Sequence, residues 1–222
     1  MKLSNLSSVF LVALIWVLNQ SALRSQLVFS GIEKDTQIAV FAEQHSPAWI
    51  WAANIQMILN YHGARVSQED IIKKSFKLTN PYADLPVWSK SFRSVTSSLN
   101  GWNIRYNNSK YILHLKYFEG SPSSQLLLDE LKNNNPVILF DSTEKSGVRS
   151  FICTAVGFLP GYYGNIVKEL MIRDVTNSCS DDWDGQKIKW NIKELPDNVS
   201  GYWLTSVSKE NIHINKKFQK KN

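Results

Sequence analysis

Few residues in this chain of 222 have the chemistry for acyl transfer or metal binding. Cysteine occurs at Cys153 and Cys179, and histidine at His45, His62, His114 and His213. No Cys-x-x-Cys pair is present and the histidines lack ligand spacing, so neither a metal nor a cofactor is expected. A nucleophile needs a base within reach. Cys153 has no histidine near it in sequence. Ser46 adjoins His45, yet adjacent residues rarely turn both side chains to one point, and no Gly-x-Ser-x-Gly elbow surrounds them. What remains is a spaced pattern: Gln44, five residues, then Ile50-Trp51-Ala52-Ala53, with Asp174 and Trp183 far downstream. In an oxidising compartment Cys153 and Cys179 could pair. Cys153 also fits a small buried hydrophobe in an apolar run, and the two alternatives stay open.

Those residues need elements to hold them. The run from Ala48 to Tyr61 is apolar on nearly every face, which predicts a helix buried on all sides, opened at Pro47 and closed by His62-Gly63. Ser67 and Asp70 form a capping box for a second helix carrying Ile71 and Ile72 inward. Phe92, Val95 and Leu99 predict a third helix, stopped by Asn100-Gly101. Trp102, Ile104 and Tyr106 alternate as in a strand, a polar loop leads to Tyr111 and Leu113, and Gln125 to Lys132 forms a short helix. Strands are expected at Pro136 to Phe140, Ser150 to Phe158, Ile166 to Asp174, Ile188 to Ile192 and Tyr202 to Val207. Helices first and strands afterwards indicate an α+β chain with a helical half, an antiparallel β half and a cleft between them.

A chain 43% hydrophobic and 20% charged can bury one sizeable core. Residues 1–25 read as an export signal, with Lys2 ahead of an apolar run from Val9 to Leu18 that is short for a bilayer span. The expectation is a secreted or periplasmic protein, touching a membrane only if the signal is uncleaved. Of the net charge of +6, Lys2 and Arg24 belong to the signal and Lys216, Lys217, Lys220 and Lys221 to the last seven residues. The middle is therefore neutral, which argues against a nucleic-acid surface and makes residues 211–222 a solvated basic tail. Residues 26–210 form the expected globular domain.

Gln44, the Ile50-Trp51-Ala52-Ala53 run and the tail Gln56-Met57-Ile58-Leu59-Asn60-Tyr61 with Gly63, Val66, Ser67 and Gln68 resemble the start of papain-like cysteine peptidases of the bacterial type. The family pattern is Gln-x5-Cys-Trp-Ala-Ala, in which the glutamine donates to the oxyanion. Here Ile50 stands at the cysteine position. Ser150-Phe151-Ile152 through Gly157-Phe158 resembles the family's histidine strand, with Phe151 at the histidine. Ile172-Arg173-Asp174 resembles the strand that ends in the orienting residue, with Trp183 in the turn beyond.

The resemblance implies a papain-like fold with vestigial positions Gln44, Ile50, Phe151 and Asp174, in a cleft also lined by Trp49, Trp51 and Trp183. It implies that Ile50 and Phe151 pack on one another, and that the chain is a pseudo-peptidase rather than an enzyme, because neither side chain carries a proton to transfer. A peptide or protein partner in the cleft is the expected function. The alternatives are a hydrolase with an unrecognised nucleophile and a structural or immunity-like partner of a true peptidase.

Overall fold

The computed structural model describes residues 27–33, 36, 39–78, 92–141, 149–161, 164–174, 186–192, 195 and 199–211. The export-signal run, most of the basic tail, Cys179 and Trp183 lie outside the described residues.

Apolar residues recur on every side of Ile50–Tyr61, so this helix, α1, is buried along its length; a 3-10 turn over Pro47–Trp49 leads into it. The two helices that follow are α2 (Gln68–Phe76) and α3 (Phe92–Leu99). The Ser67 hydroxyl accepts from the Asp70 amide at 3.1 Å, as the capping box requires. At the other end of α1, Gly63 takes φ +86°, the left-handed geometry that closes the helix.

Eight strands form one antiparallel sheet: β1 (Val28–Gly31), β2 (Trp102–Tyr106), β3 (Ser109–Glu119), β4 (Val137–Asp141), β5 (Arg149–Leu159), β6 (Ile166–Asp174), β7 (Gln186–Asn191) and β8 (Val199–Asn211). Their order is β2-β3-β8-β4-β5-β6-β7, with β1 paired to the second half of β5. The sequence pattern missed β1, which is four residues long and lies in a stretch expected to be linker. Gly31 lets it close on β5, since a side chain there would collide with Thr154 and Ala155.

Helices cover both faces of this sheet. On one face α1, α2 and α3 pack with Leu113, Ile138, Phe140, Ile152 and Trp203. On the other, α4 (Ser124–Lys132) packs Leu127, Leu128 and Leu131 on Val137, Leu139, Phe151, Cys153, Leu170 and Ile172. The mixture of helix and antiparallel sheet agrees with the α+β expectation, while the helical elements are packed directly on the sheet.

Register defines two ends. At the upper end Ser150 lies opposite Phe140, Phe140 opposite Gly201, and Gly201 opposite Glu119. At the lower end Phe158 lies opposite Val28 and Val167, and β8 runs past the start of β4 to Asn211, opposite Ser109.

Leu131 is fully buried and Ile166 is exposed. Leu131→Ala should lower unfolding free energy by about 2–5 kcal/mol and Ile166→Ala by less than about 0.5 kcal/mol, measured by urea denaturation. Equal effects would contradict this core assignment.

Candidate functional site

The segment carrying Gln44 is fixed by one buried side chain. Gln68, the first residue of α2, has no solvent exposure and accepts from the His45 backbone N–H at 3.0 Å. Its amide nitrogen donates to the Glu43 carbonyl at 2.6 Å and to Gln56 Oε1 at 2.9 Å. Gln56, on α1, donates in turn to the Val66 carbonyl at 2.9 Å. The residues on either side of Gln44 are thereby tied to α2, and α2 to α1. The next residue, Glu69, holds His45 Nδ1 at 2.8 Å. Gln44 Oε1 is buried with no hydrogen-bond partner among the described residues.

Trp49 is the N-cap of α1 and supplies no side-chain cap. Ile50 is buried in the first turn, and Asn54, four residues on, shares its face. Asn54 has no solvent exposure; its Nδ2 donates to Ser150 Oγ at 3.0 Å, while its Oδ1 has no partner among the described residues. Side chains on a helix lean toward its N-terminus, so Asn54 leans toward the Ile50 turn. Trp51 points into the core, edge-on to Trp203 at 6.2 Å.

Strand alternation settles which β5 residues reach this helix. Ser150 and Ile152 face α1, whereas Phe151 and Cys153 face α4. The expected packing of Ile50 on Phe151 is therefore corrected: the two belong to separate cores on opposite faces of the sheet. Phe151 instead lies among α4 leucines with the Arg149 guanidinium 5.1 Å from its ring. The β5 residue nearest the first turns of α1 is Ser150, one position earlier than the motif placed it. Asp174 is the last residue of β6, backbone-paired to Gln186, and its side chain lies outside the described residues.

Cys153 is a fully buried free thiol, pushed up to about 12 by burial. Its Sγ lies 3.8 Å from the Ala155 carbonyl. Such a thiol stays protonated and is no nucleophile near neutral pH. The Ser150 hydroxyl receives a hydrogen bond from an amide, which leaves its oxygen less basic. A pocket of about 330 Å3, partly open to solvent, lies against Met57, Ile58 and Tyr61 in the lower half of α1 and includes none of the expected site residues.

No protein-family model and no curated protein matches the chain. Among solved structures the fold is similar to the peptidase domain of Streptococcus ComA, a bi-functional ABC transporter involved in a quorum-sensing pathway. The identity is 10%, over 74% of this chain and 96% of that one, at a TM-score of 0.47. It is also similar to a double glycine motif protease from an AMS/PCAT transporter in complex with the leader peptide. There the identity is 15%, over 74% of this chain and 88% of that one, at a TM-score of 0.38. The likeness is distant and concerns the fold alone, so no site residue is carried over from either.

The expectation that the chain is not an enzyme is corrected by these findings. Both solved structures are peptidase domains. Half of the case for inactivity also rested on Phe151, and a residue on the far side of the sheet reports nothing about the proton-transfer partner of position 50.

Two measurements check this geometry. Ile50→Cys with Ser150→His should react with iodoacetamide at pH 6.5 about tenfold faster than Ile50→Cys alone, because an imidazole on the shared face lowers the thiol pKa. Ile50→Cys with Phe151→His should show no gain; if it did, the β5 register would be wrong.

The Cys153 thiol is raised in the folded state from its ordinary value of 9.0 to about 12. Its stabilising contribution is thus complete below pH 9 and is lost as pH rises toward 12, because only the unfolded chain releases the proton in that window. Mass spectrometry should find Cys153 unalkylated in the native protein at pH 8 and alkylated in urea. Native labelling at pH 8 would refute the assignment.

Proposed function

We propose that this chain is an exported protein of papain-like fold that holds an extended peptide, or the extended segment of a protein partner, at the upper end of the sheet. There Gln44 approaches the N-terminus of α1. The observation that carries this reading is the Gln68 clamp: one buried amide grips the backbone on both sides of Gln44. Ordering a surface segment this tightly costs conformational entropy, and the gain is a Gln44 side chain held ready for a ligand.

The chemistry of the surroundings supports a peptide. Half-buried Gln44 carries an amide group that donates and accepts, matching the N–H and C=O of a peptide unit. Close by, Tyr117 and Phe92 are only partly buried and pack with Phe140 and Trp203, which provides apolar contact for side chains. Gly201 leaves room for the Tyr117 hydroxyl, which lies 2.7 Å from where a Cβ would stand. Export follows from residues 1–25 and is part of this proposal.

The test is fluorescence anisotropy of a labelled random decapeptide pool titrated with the full chain. Gln44→Ala should weaken binding about tenfold, as loss of one or two ligand hydrogen bonds implies, while Lys116→Ala on exposed β3 should leave it unchanged. No binding by the wild type, or equal binding by Gln44→Ala, would defeat the reading. Mass spectra of the retained peptides show in the same experiment whether a held peptide is also cut.

A further inference from the structure

α4 packs on β4, β5 and β6, and it leaves the same face of the sheet open where β2, β3 and the lower half of β8 carry it. Strand alternation assigns the side chains there. On β3, Tyr111, Leu113 and Leu115 belong to the α1 core, so Lys110, Ile112, His114, Lys116 and Phe118 point away from it. The register runs unshifted along both ladders and sets Arg105 of β2 beside Lys110. On the other side, β8 sets Glu210 beside Lys110, Ser208 beside Ile112 and Ser206 beside His114. These side chains therefore form one surface, and Arg105, His114, Lys116, Phe118, Ser208 and Glu210 are exposed on it.

Its charges are not balanced. Arg105 and Lys110 stand directly opposite one another, and like charges in that position destabilise a sheet. Glu210 lies 3.1 Å from the Lys110 ammonium, so one carboxylate serves two cations. Neither Arg105 nor Lys116 has an ion-pair partner among the described residues. Lys116 is six residues beyond Lys110 on β3, about 20 Å at the rise of an extended strand. Between them, apart from half-buried Ile112, the surface is neutral and hydrogen-bonding: His114 Nε2 is 3.2 Å from Ser208 Oγ, with Ser206 alongside. Beyond Lys116 the Phe118 ring is 40% exposed and stacks on Tyr202, with centroids 5.2 Å apart.

We propose that this open face binds a linear acidic polysaccharide. Its carboxylates pair with Arg105 and Lys116, its hydroxyls meet His114 and the two serines, and a sugar ring lies on Phe118. Charge complementarity selects a polyanion, and the spacing of the groups selects among polyanions. A nucleic acid carries a phosphate at every nucleotide and gains most from aromatic platforms for successive bases, whereas the cations here are sparse and Phe118 is the one exposed aromatic ring among the described residues of the face. An extended peptide satisfies its backbone at a strand edge, and these side chains stand on a sheet face. Sugar hydroxyls donate and accept as serine and imidazole do, and the apolar side of a pyranose ring matches a flat aromatic one. The face is turned away from α1, so this inference is independent of the peptide reading.

The test is surface plasmon resonance of the full chain over immobilised polygalacturonate, a linear chain of uronic acids, at low ionic strength. Arg105→Gln with Lys116→Gln should weaken binding about tenfold, at roughly threefold per exposed ion pair. Phe118→Ala should weaken it severalfold and leave its salt dependence unchanged. Lys209→Gln removes the same charge from β8 on the α1 face, beside Tyr111, and should bind as the wild type does. All four side chains are exposed, so these variants should fold normally. Fully methyl-esterified polygalacturonate, which keeps the sugars and loses the charge, should bind at least about tenfold more weakly.

Absence of wild-type binding would overturn the proposal. So would an equal loss from Lys209→Gln, which would mean that overall charge alone attracts the polymer, or equal binding of the methyl ester. Tighter binding of polyglutamate or of single-stranded DNA at equal charge concentration would overturn the choice of a polysaccharide.

Discussion

The alternation of side chains along β5 is the constraint on which the rest of the molecule depends. This strand is buried on both faces for most of its length, so each residue must serve either the α1 core or the α4 core. A shift of one residue would exchange Ser150 and Ile152 for Phe151 and Cys153 across the sheet. It would bury a serine hydroxyl among the α4 leucines and press a phenylalanine ring against Asn54. Both errors cost free energy, one through an unpaired polar group and the other through overpacking. The Asn54 to Ser150 hydrogen bond is thus both a product of the register and a lock on it.

A second constraint acts where the chain has no regular structure. Residues 41–46 belong to no helix or strand, yet they precede the most buried helix of the molecule. Gln68 replaces the missing sheet or helix partners with a single side chain that makes three hydrogen bonds, so that both its nitrogen and its oxygen are partnered. A fully satisfied buried polar group fixes one conformation, whereas a partly satisfied one destabilises its surroundings. Gln44 and Asn54, each with a buried oxygen unpaired among the described residues, therefore contrast with the group that positions the segment. Unused polar capacity beside a saturated clamp is the arrangement expected of a site prepared for something else.

Much of this fold could be anticipated from local pattern. The apolar run of α1, the Ser67 box, the spacing in α3 and six of the strands were visible because each obeys its own period and carries its own stop signal. β1 was not visible, since four residues give too short an alternation and their place in the sheet is set by a close approach to Thr154 and Ala155. The expected partner of position 50 failed for a different reason. A motif aligned by Gly157-Phe158 counts residues, while the strand has register irregularities between Cys153 and Ala155 and between Gly157 and Phe158, so face and count part company before the strand reaches Ser150. Gln68 was noted only as part of the resemblance. Its role depends on contacts 23 to 25 residues away in sequence, beyond the reach of any local period.

The two ends of the sheet differ in kind, and the connectivity explains why. At the upper end the Asn54 amide meets Ser150 near the start of β5, so hydrogen-bonding groups converge there. At the lower end β1 begins and β8 finishes, and Val28, Phe29 and Ile166 stand exposed on the strands there. Antiparallel pairing brings the start of β1 and the end of β8 to one margin, because β8 and β5 both run downward past the start of β4 and β1 pairs antiparallel with β5.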